Sequence, residues 1–190
     1  GLRRQKNTLE TYQFLESVGV AANVIDSLGR NPLHAIAYNT KDIETYAYFI
    51  AKGVAINLQD YEGNTPFMNA ASNNSLEVVA FLSKTGNDLN LKDKKGRSSL
   101  AKAVQRNTLT VVKFLLENGS DIHTIDAKGN SLSYYLMETF NTNDPSNFDE
   151  KCALLQRSGI EINRPQHSGN TLLHIATGKN NLALLKRLHS

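Results

Sequence analysis

The sequence predicts an all-α solenoid in which one short unit, a tight turn followed by two antiparallel helices, recurs along the chain. Two sets of glycines support this prediction because they keep one register over the whole length. The first set recurs at intervals of 34, 33, 33 and 40 residues, and each member of the second set lies 10 residues before one of the first. Apolar residues between the glycines have helical spacing. The first set is Gly29, Gly63, Gly96, Gly129 and Gly169, and the second is Gly19, Gly53, Gly86, Gly119 and Gly159.

The turn and the first helix are clearest in the second full unit. Asp60 can accept hydrogen bonds from the backbone that follows it, and Gly63 can adopt positive φ, which together close a tight hairpin turn. Thr65 suits the N-cap, and Pro66 suits the first helical position because its missing N–H needs no partner there. A short helix is therefore predicted over about residues 67–72.

The second helix follows a polar break at residues 73–75. Its apolar residues recur with i, i+3 and i+4 spacing, and Gly86 can end it in a left-handed conformation. The next unit repeats this pattern and ends at Gly119. Because one unit alone cannot bury its apolar stripe, copies of the unit are predicted to stack. The stripe consists of Leu76, Val78, Val79, Phe81 and Leu82.

Three stretches at the start of first helices resemble the T-P-L-H-x-A signature of the ankyrin repeat family. They are residues 31–37 (N-P-L-H-A-I-A), 65–71 (T-P-F-M-N-A-A) and 171–176 (T-L-L-H-I-A). Gly-x-x-x-Asn endings follow at Gly53 to Asn57 and at Gly86 to Asn90, and the resemblance extends over nearly the whole chain. It implies a β-hairpin turn plus two antiparallel helices per repeat, and a structural hydrogen-bonding role for His34 and His174.

The resemblance divides residues 1–190 into a single ankyrin repeat domain of about five repeats with both ends truncated. Because both ends look like interior repeats, and end repeats normally carry a polar capping face, the chain is expected to be part of a longer array. The predicted segments are a half repeat at 1–25, repeats at 26–59, 60–92, 93–125 and 126–165, and a truncated repeat at 166–190.

The third and fourth repeats depart from the family pattern. The third lacks the proline and histidine of the signature, although Ser98 can still cap its helix. The fourth has Ser133 where the core leucine belongs and the bulky pair Leu136 and Met137 where the family has two alanines. Helix packing in the fourth repeat must therefore differ from that of its neighbours.

The fourth repeat also carries an insertion at residues 140–148, between its two helices. Asp144 and Pro145 indicate either a turn or the start of the second helix. Two interpretations of the insertion stay open. It is either tolerated variation in a surface loop or a partner-contacting loop, the latter supported by Phe140 and Phe148.

Composition narrows the possible functions. The chain is 40% hydrophobic and 21% charged, which is enough apolar material for a buried core. Lysine and arginine exceed aspartate and glutamate by only 21 to 18, too small a bias to indicate nucleic acid, and no apolar run is long enough for membrane insertion. The single cysteine, Cys152, excludes a scaffold held by internal disulfides. The cytoplasm is favoured, and an extracytoplasmic location after removal of a signal peptide stays open.

No sequence motif typical of catalysis, phosphate binding or metal binding occurs. His34 and His174 are separated by four repeat steps and cannot share a metal ion. Cys152 lies beside Leu155 on the apolar face of its helix, where a buried hydrophobic role is predicted in place of a nucleophilic one. The chain is therefore predicted not to be an enzyme, and no catalytic residue, cofactor or metal site is predicted.

In a stacked array, the hairpin tips and the exposed sides of the first helices form a concave face, which such solenoids use for partners. A basic patch in the third repeat, flanked by tyrosines, predicts a protein partner with an acidic segment. Nucleic acid is disfavoured because the aromatic residues form no stacking row, and the chain is taken to be monomeric. The predicted partner-binding residues are Tyr61, Glu62, Lys94, Lys95, Arg97 and Lys128 at the tips, and Tyr38, Asn69, Lys102, Arg106 and Tyr135 on the first helices.

Two alternatives stay open at this stage. The charged residues could form a solvated surface without a partner, as at the tips of any soluble repeat. The array could also be a structural spacer or targeting segment of a larger protein whose catalytic or effector region lies outside this chain.

Overall fold

A computed structural model describes residues 9–143 and 145–189, without the side chains of Asn39 and His189. The first eight residues of the predicted half repeat, and Asp144 of the predicted insertion, lie outside the described residues. The described chain forms α1 (Leu9–Ser17), α2 (Pro32–Asn39), α3 (Ile43–Ala51), α4 (Pro66–Asn73), α5 (Leu76–Ser83), α6 (Ser99–Arg106), α7 (Leu109–Glu117), α8 (Leu132–Met137), α9 (Ser146–Arg157), α10 (Leu172–Gly178) and α11 (Leu182–His189).

The predicted all-α fold is confirmed. Five pairs of consecutive helices contact each other, from α2 with α3 to α10 with α11, as the unit of one turn and two helices requires. The predicted β-hairpins are present only as turns. In the described part of the chain, one isolated antiparallel bridge, between Lys92 and Ser98, is the whole of the β-structure. None of the described helices combines the length and apolar character needed to cross a membrane.

The chain divides into two compact units, Gly1–Asp88 and Leu89–Ser190. In the first unit, α2 stacks on α4 and α3 on α5; in the second, α6 stacks on α8 and α7 on α9. Each unit therefore buries its helical stripes by stacking neighbouring repeats, as predicted. The largest buried apolar side chains include Leu33, Tyr46, Phe67, Met68 and Leu82 in the first unit, and Leu100, Leu115, Leu132, Phe148 and Leu155 in the second.

Asparagine side chains join neighbouring repeats at their glycine endings. In the first unit, the Asn57 amide donates to the carbonyl of Gly86 (3.1 Å), and its Oδ1 accepts from the N–H of Asp88 (3.0 Å). The Gly-x-x-x-Asn ending thus fixes the position of the following repeat. In the second unit the same two bonds join Asn90 to Gly119 (3.3 Å) and Asp121 (2.9 Å).

The two signature histidines complete capping boxes, in agreement with their predicted structural role. His34 Nδ1 accepts from the backbone N–H of Asn31 (3.2 Å), and the Asn31 side chain accepts from the N–H of His34 (3.3 Å). Thr171 and His174 form the same arrangement. His34 Nε2 also lies 3.0 Å from the carbonyl oxygen of Asn64 in the next repeat, so this ring joins two turns.

Removal of the Thr65 cap is expected to lower the free energy of unfolding by about 1–2 kcal/mol. Thr65 Oγ1 accepts a hydrogen bond from the N–H of Met68 (3.2 Å) at the start of α4. Thr108 occupies the same position before α7 but its side chain makes no capping bond, so Thr108→Ala should cost less than about 0.5 kcal/mol. Urea unfolding of Thr65→Ala and Thr108→Ala measures both, and equal losses would contradict a capping role.

The fourth repeat accommodates its bulky residues by shortening the first helix. The helix α8 has 6 residues, and Ser133, Leu136 and Met137 are all buried. The second helix, α9, has 12 residues. Phe148 in α9 is buried, and its ring meets that of Phe140 edge to face with centroids 5.3 Å apart. The two aromatic side chains thus pack on each other, which favours structural variation over partner contact for the insertion.

A buried lysine replaces an asparagine in this repeat. In the first unit, the buried side-chain amide of Asn74 donates to the carbonyl of Ala37 (3.0 Å) at the end of a first helix. Phe140 stands at the corresponding position in the fourth repeat. Lys151, fully buried, donates instead to Val104 (2.8 Å), the counterpart of Ala37. The ammonium group satisfies this carbonyl, and it makes no ion pair within the described residues.

The buried ammonium group of Lys151 is expected to make the free energy of unfolding rise with pH. Burial lowers the pKa of Lys151 from its ordinary 10.5 to about 8. The unfolded chain therefore holds this proton more tightly, and folding becomes more favourable as the pH passes from about 8 to 10.5, by at most about 3 kcal/mol. Urea unfolding over this range should show an increment that Lys151→Met lacks; identical pH profiles for the two proteins would contradict the effect.

Candidate functional site

The turns before the first helices hold their aspartates inward. In four of them, the Oδ1 atom accepts hydrogen bonds from two backbone N–H groups of the same turn, at 2.8–3.0 Å. Each carboxylate therefore points back into its turn, and the residues between the aspartate and the turn glycine form the tip. The four aspartates are Asp26, Asp60, Asp93 and Asp126, whereas the fifth turn has Gln166.

Backbone hydrogen bonds tie neighbouring tips together within each unit. In the first unit, the N–H of Tyr61 donates to the carbonyl of Leu28 (2.9 Å). The tips thus form short rows of fixed geometry. In the second unit, Ala127 donates to Lys95 (2.9 Å) and His167 to Gly129 (3.3 Å).

Asp93 is the centre of a buried charge cluster in the second unit. Its Oδ2 atom lies 2.7 Å from Nζ of Lys102 and accepts a bond from Nε of Arg97 at 2.8 Å, and the Asp93 side chain is only 1% exposed. Burial alone would raise the pKa of Asp93, but the hydrogen bonds from Lys102 and Arg97 outweigh it and hold this pKa below its usual range. The carboxylate therefore stays ionised and forms ion pairs with two cations of its own repeat.

The fourth repeat holds its turn aspartate in a different way. The hydroxyl group of Tyr135 donates to Oδ2 of Asp126 at 2.6 Å. Burial and this carboxylate both raise the pKa of Tyr135 above its ordinary value. Burial alone would raise the pKa of Asp126. The hydrogen bonds from Tyr135 and Asn130 outweigh burial, so this pKa lies below its ordinary value. Both groups are engaged inside the repeat.

Three predicted partner-binding residues prove to be buried. Asn69, Lys102 and Tyr135 occupy one repeat position, and their side chains are covered, contrary to the expectation that they face a groove. Asn69 accepts a hydrogen bond from the hydroxyl of Tyr38 (2.7 Å). In the second unit this position lies under the hairpin, where a long polar side chain reaches the turn aspartate. Arg97 is half-buried, and the exposed predicted residues are Tyr38, Tyr61, Glu62, Lys94, Lys95, Arg106 and Lys128.

Four of the exposed cations make no ion pair with any described residue. The lysines of this set lie in turns whose aspartates point inward, and the arginine lies at the end of α6, so the surface of the second unit is locally basic. The exposed basic patch of the third repeat is therefore smaller than predicted, because Lys102 is buried, Arg97 is half-buried, and both are paired with Asp93. The four cations are Lys94, Lys95, Arg106 and Lys128.

A comparison with known families agrees with this arrangement of turns and helix pairs. The model of the family described as ankyrin repeats (3 copies) matches residues 4–93 and 33–126, which together exceed half of the chain. The chain belongs to the ankyrin repeat family. No curated protein matched the chain. Ankyrin repeats are generally protein–protein interaction modules and are typically non-catalytic.

Within the described part of this ankyrin repeat chain, no group of His, Cys, Asp and Glu side chains could hold a metal ion. A cavity of about 560 Å³ lies between α9 and α11, and its wall contains Asp149, Cys152 and Arg187. Arg187 Nε donates to Oδ1 of Asp149 at 2.7 Å, so this carboxylate is already engaged. The cavity therefore brings together no free acid–base pair.

Cys152 is half-buried, not fully buried as the sequence predicted, because its side of α9 forms part of the cavity wall. Burial and the nearby Asp149 raise the pKa of its thiol, which reduces the thiolate fraction at neutral pH. A nucleophilic cysteine needs the opposite shift. The environment of Cys152 thus favours a packing role.

The sequence analysis missed an apolar pair at the tips of the first unit. Leu28 is 52% exposed and Tyr61 64% exposed, and their backbones are hydrogen-bonded to each other. The ring of Tyr61 lies so close to Gly29 that a Cβ atom there would be 2.7 Å from Cδ1. The sequence contained one indication of this pair, because Leu28 stands at a tip position that is polar in the other repeats. The first unit thus differs chemically from the lysine-bearing tips of the second.

Proposed function

We propose that this ankyrin repeat chain is a non-catalytic module that binds a protein partner through its hairpin tips and the exposed side chains of its first helices. The main support is the division of charge in the turns. The aspartates are used inside the repeats, whereas Lys94, Lys95 and Lys128 stay exposed and without an ion pair in the described chain. A surface of this kind favours a partner with an acidic segment.

Exposed aromatic residues in the first unit add a second type of contact. Tyr38 and Tyr61 are 50% and 64% exposed. The hydroxyl group of Tyr38 is held by Asn69, and the ring of Tyr61 lies against Gly29, so both are pre-positioned. Tyrosine side chains held in one conformation lose little entropy on binding and are frequent anchors in protein interfaces.

Competition capture followed by cross-linking tests the proposal. The immobilised chain is incubated with lysate of the source cells, with and without an excess of the free chain, and proteins lost on competition are identified by mass spectrometry. Lysine-directed cross-links are then mapped on the complex. We expect a competed protein whose cross-links include tip lysines Lys94, Lys95 or Lys128.

Tyr61→Ser and Tyr38→Ser provide variants of the first unit, and Tyr12→Ser provides a control away from the tips. Weaker capture by the first two alone is expected if both tyrosines touch the partner. If no protein is competed away by the free chain, the binding-module proposal fails, and the spacer or targeting alternative becomes the better account.

A further inference from the structure

Three lysines form an exposed row on the tips of the second unit, here called the lysine ridge: Lys94, Lys95 and Lys128. All three are exposed, and none makes an ion pair within the described residues. Lys94 and Lys95 belong to one turn and Lys128 to the next. They do not rely on side-chain contacts for their placement, because the turns themselves are fixed.

The fixed geometry comes from the backbone. The N–H of Ala127, the neighbour of Lys128, donates to the carbonyl of Lys95 at 2.9 Å. Each turn is also closed by its aspartate, which accepts from the N–H of Lys95 (3.0 Å) in one turn and of Lys128 (2.8 Å) in the other. The backbone positions of the three lysines are therefore fixed before any partner binds.

The two turn carboxylates are bonded inside their own repeats, and neither forms an ion pair with a lysine of the ridge within the described residues. Asp93 is buried and shared by Lys102 and Arg97, and Asp126 accepts bonds from Tyr135 and its own turn. The intervening tip residues of the second unit contain no acid and no Tyr, Phe or Trp. Bases of a nucleic acid would thus find one aromatic ring at these tips, that of the exposed His167, and no row of rings for stacking, whereas carboxylates would find the exposed ammonium groups of the ridge.

Resting on the proposed function, we infer that the lysine ridge binds an extended peptide segment with several Asp or Glu residues, which crosses the two linked turns. Individual exposed ion pairs are weak, so one carboxylate is not enough and the segment needs several. Binding is then strongly weakened by salt, because every contact is exposed to solvent. Lys102 takes no direct part, since it is buried against Asp93.

The test is a titration of the chain into a fluorescently labelled peptide of alternating Glu and Ser. Binding is measured by fluorescence anisotropy at low and at physiological salt concentration. The ridge variant is Lys94→Gln, Lys95→Gln, Lys128→Gln. The control variant is Lys113→Gln, Lys179→Gln, Lys186→Gln, which removes the same charge from exposed lysines elsewhere in the second unit. Thermal melting verifies that both variants fold.

We expect the ridge variant to bind at least about tenfold more weakly than the original chain, and the control variant to stay within about twofold. Equal weakening of both variants would show a net-charge effect and overturn the ridge. No binding by the original chain, or tighter ridge-dependent binding of a single-stranded oligonucleotide of equal charge, would overturn the acidic peptide as its ligand. Because no lysate is involved, either result is separate from failure of the capture experiment.

Discussion

Asp93→Ala is expected to lower the free energy of unfolding by about 3–5 kcal/mol. The substitution leaves the ammonium group of Lys102 buried without the carboxylate that lies 2.7 Å from it. It also removes the acceptor for Arg97 and for two backbone N–H groups of the turn. A buried charge that loses its partner costs far more than an exposed one, so the loss should be visible in urea unfolding at neutral pH.

Asp26→Ala supplies the matched control, because Asp26 closes the same turn in the first unit and pairs with Arg30 near the surface. It should lower the free energy of unfolding clearly less than Asp93→Ala does, because only the bonds of an exposed turn are lost. A second variant separates charge from shape. Adding Lys102→Met to Asp93→Ala removes the buried ammonium group that has lost its carboxylate counterion, and should recover at least half of the loss. No recovery would mean that the buried charge is not the cause.

Gly96→Ala is expected to lower the free energy of unfolding by about 2–5 kcal/mol, from left-handed backbone strain and from overpacking. Gly96 has φ +77°, and a Cβ atom there would lie 2.4 Å from the backbone nitrogen of Ala127 and 2.8 Å from the carbonyl carbon of Asp126. Backbone atoms cannot rotate away, so the following turn must shift. The hydrogen bond from Ala127 to Lys95 is lost with it.

Gly119→Ala is the control that separates backbone strain from the clash with the neighbouring turn at Gly96. Gly119 has φ +88° and no atom within 4 Å of an added Cβ, so only the backbone strain of about 1–2 kcal/mol applies. Both variants can be measured by urea unfolding on the same day with the same probe. Similar losses at Gly96 and Gly119 would show that contact between adjacent tips contributes nothing.

Much of the fold could be predicted from the sequence because its determinants are local and repeated. Two glycines per unit, a capping residue and a helical stripe recur in one register, so each copy supports the others. The exceptions depend on side-chain reach across repeats, which spacing does not reveal. Lys151 was not predicted to replace an asparagine cap, because the insertion breaks the register, and no sequence pattern links Lys151 to Val104.

The candidate site could be predicted only in part. Sequence register identified the tips, and Lys94, Lys95 and Lys128 are exposed there. Sequence register could not distinguish these exposed lysines from the buried Lys102. A lysine at a first-helix position can either extend into solvent or turn back to an aspartate of its own repeat. Asp93 decides between these outcomes, since burying its carboxylate requires a cation, and Lys102 is long enough to provide one.

The asparagine links between glycine endings bear on how such a chain changes its length. Asn57 and Asn90 make the same two bonds to the repeat that follows each of them. The repeat at residues 60–92 therefore accepts this pair of contacts at Gly86 and Asp88 and makes the same pair from Asn90. Duplication of this repeat as a whole would keep these bonds paired, whereas a duplication that stopped short of Asn90 would lack the amide that makes them. At these links the whole repeat is therefore the unit of change, whereas the insertion at residues 140–148 lies between the two helices of its repeat.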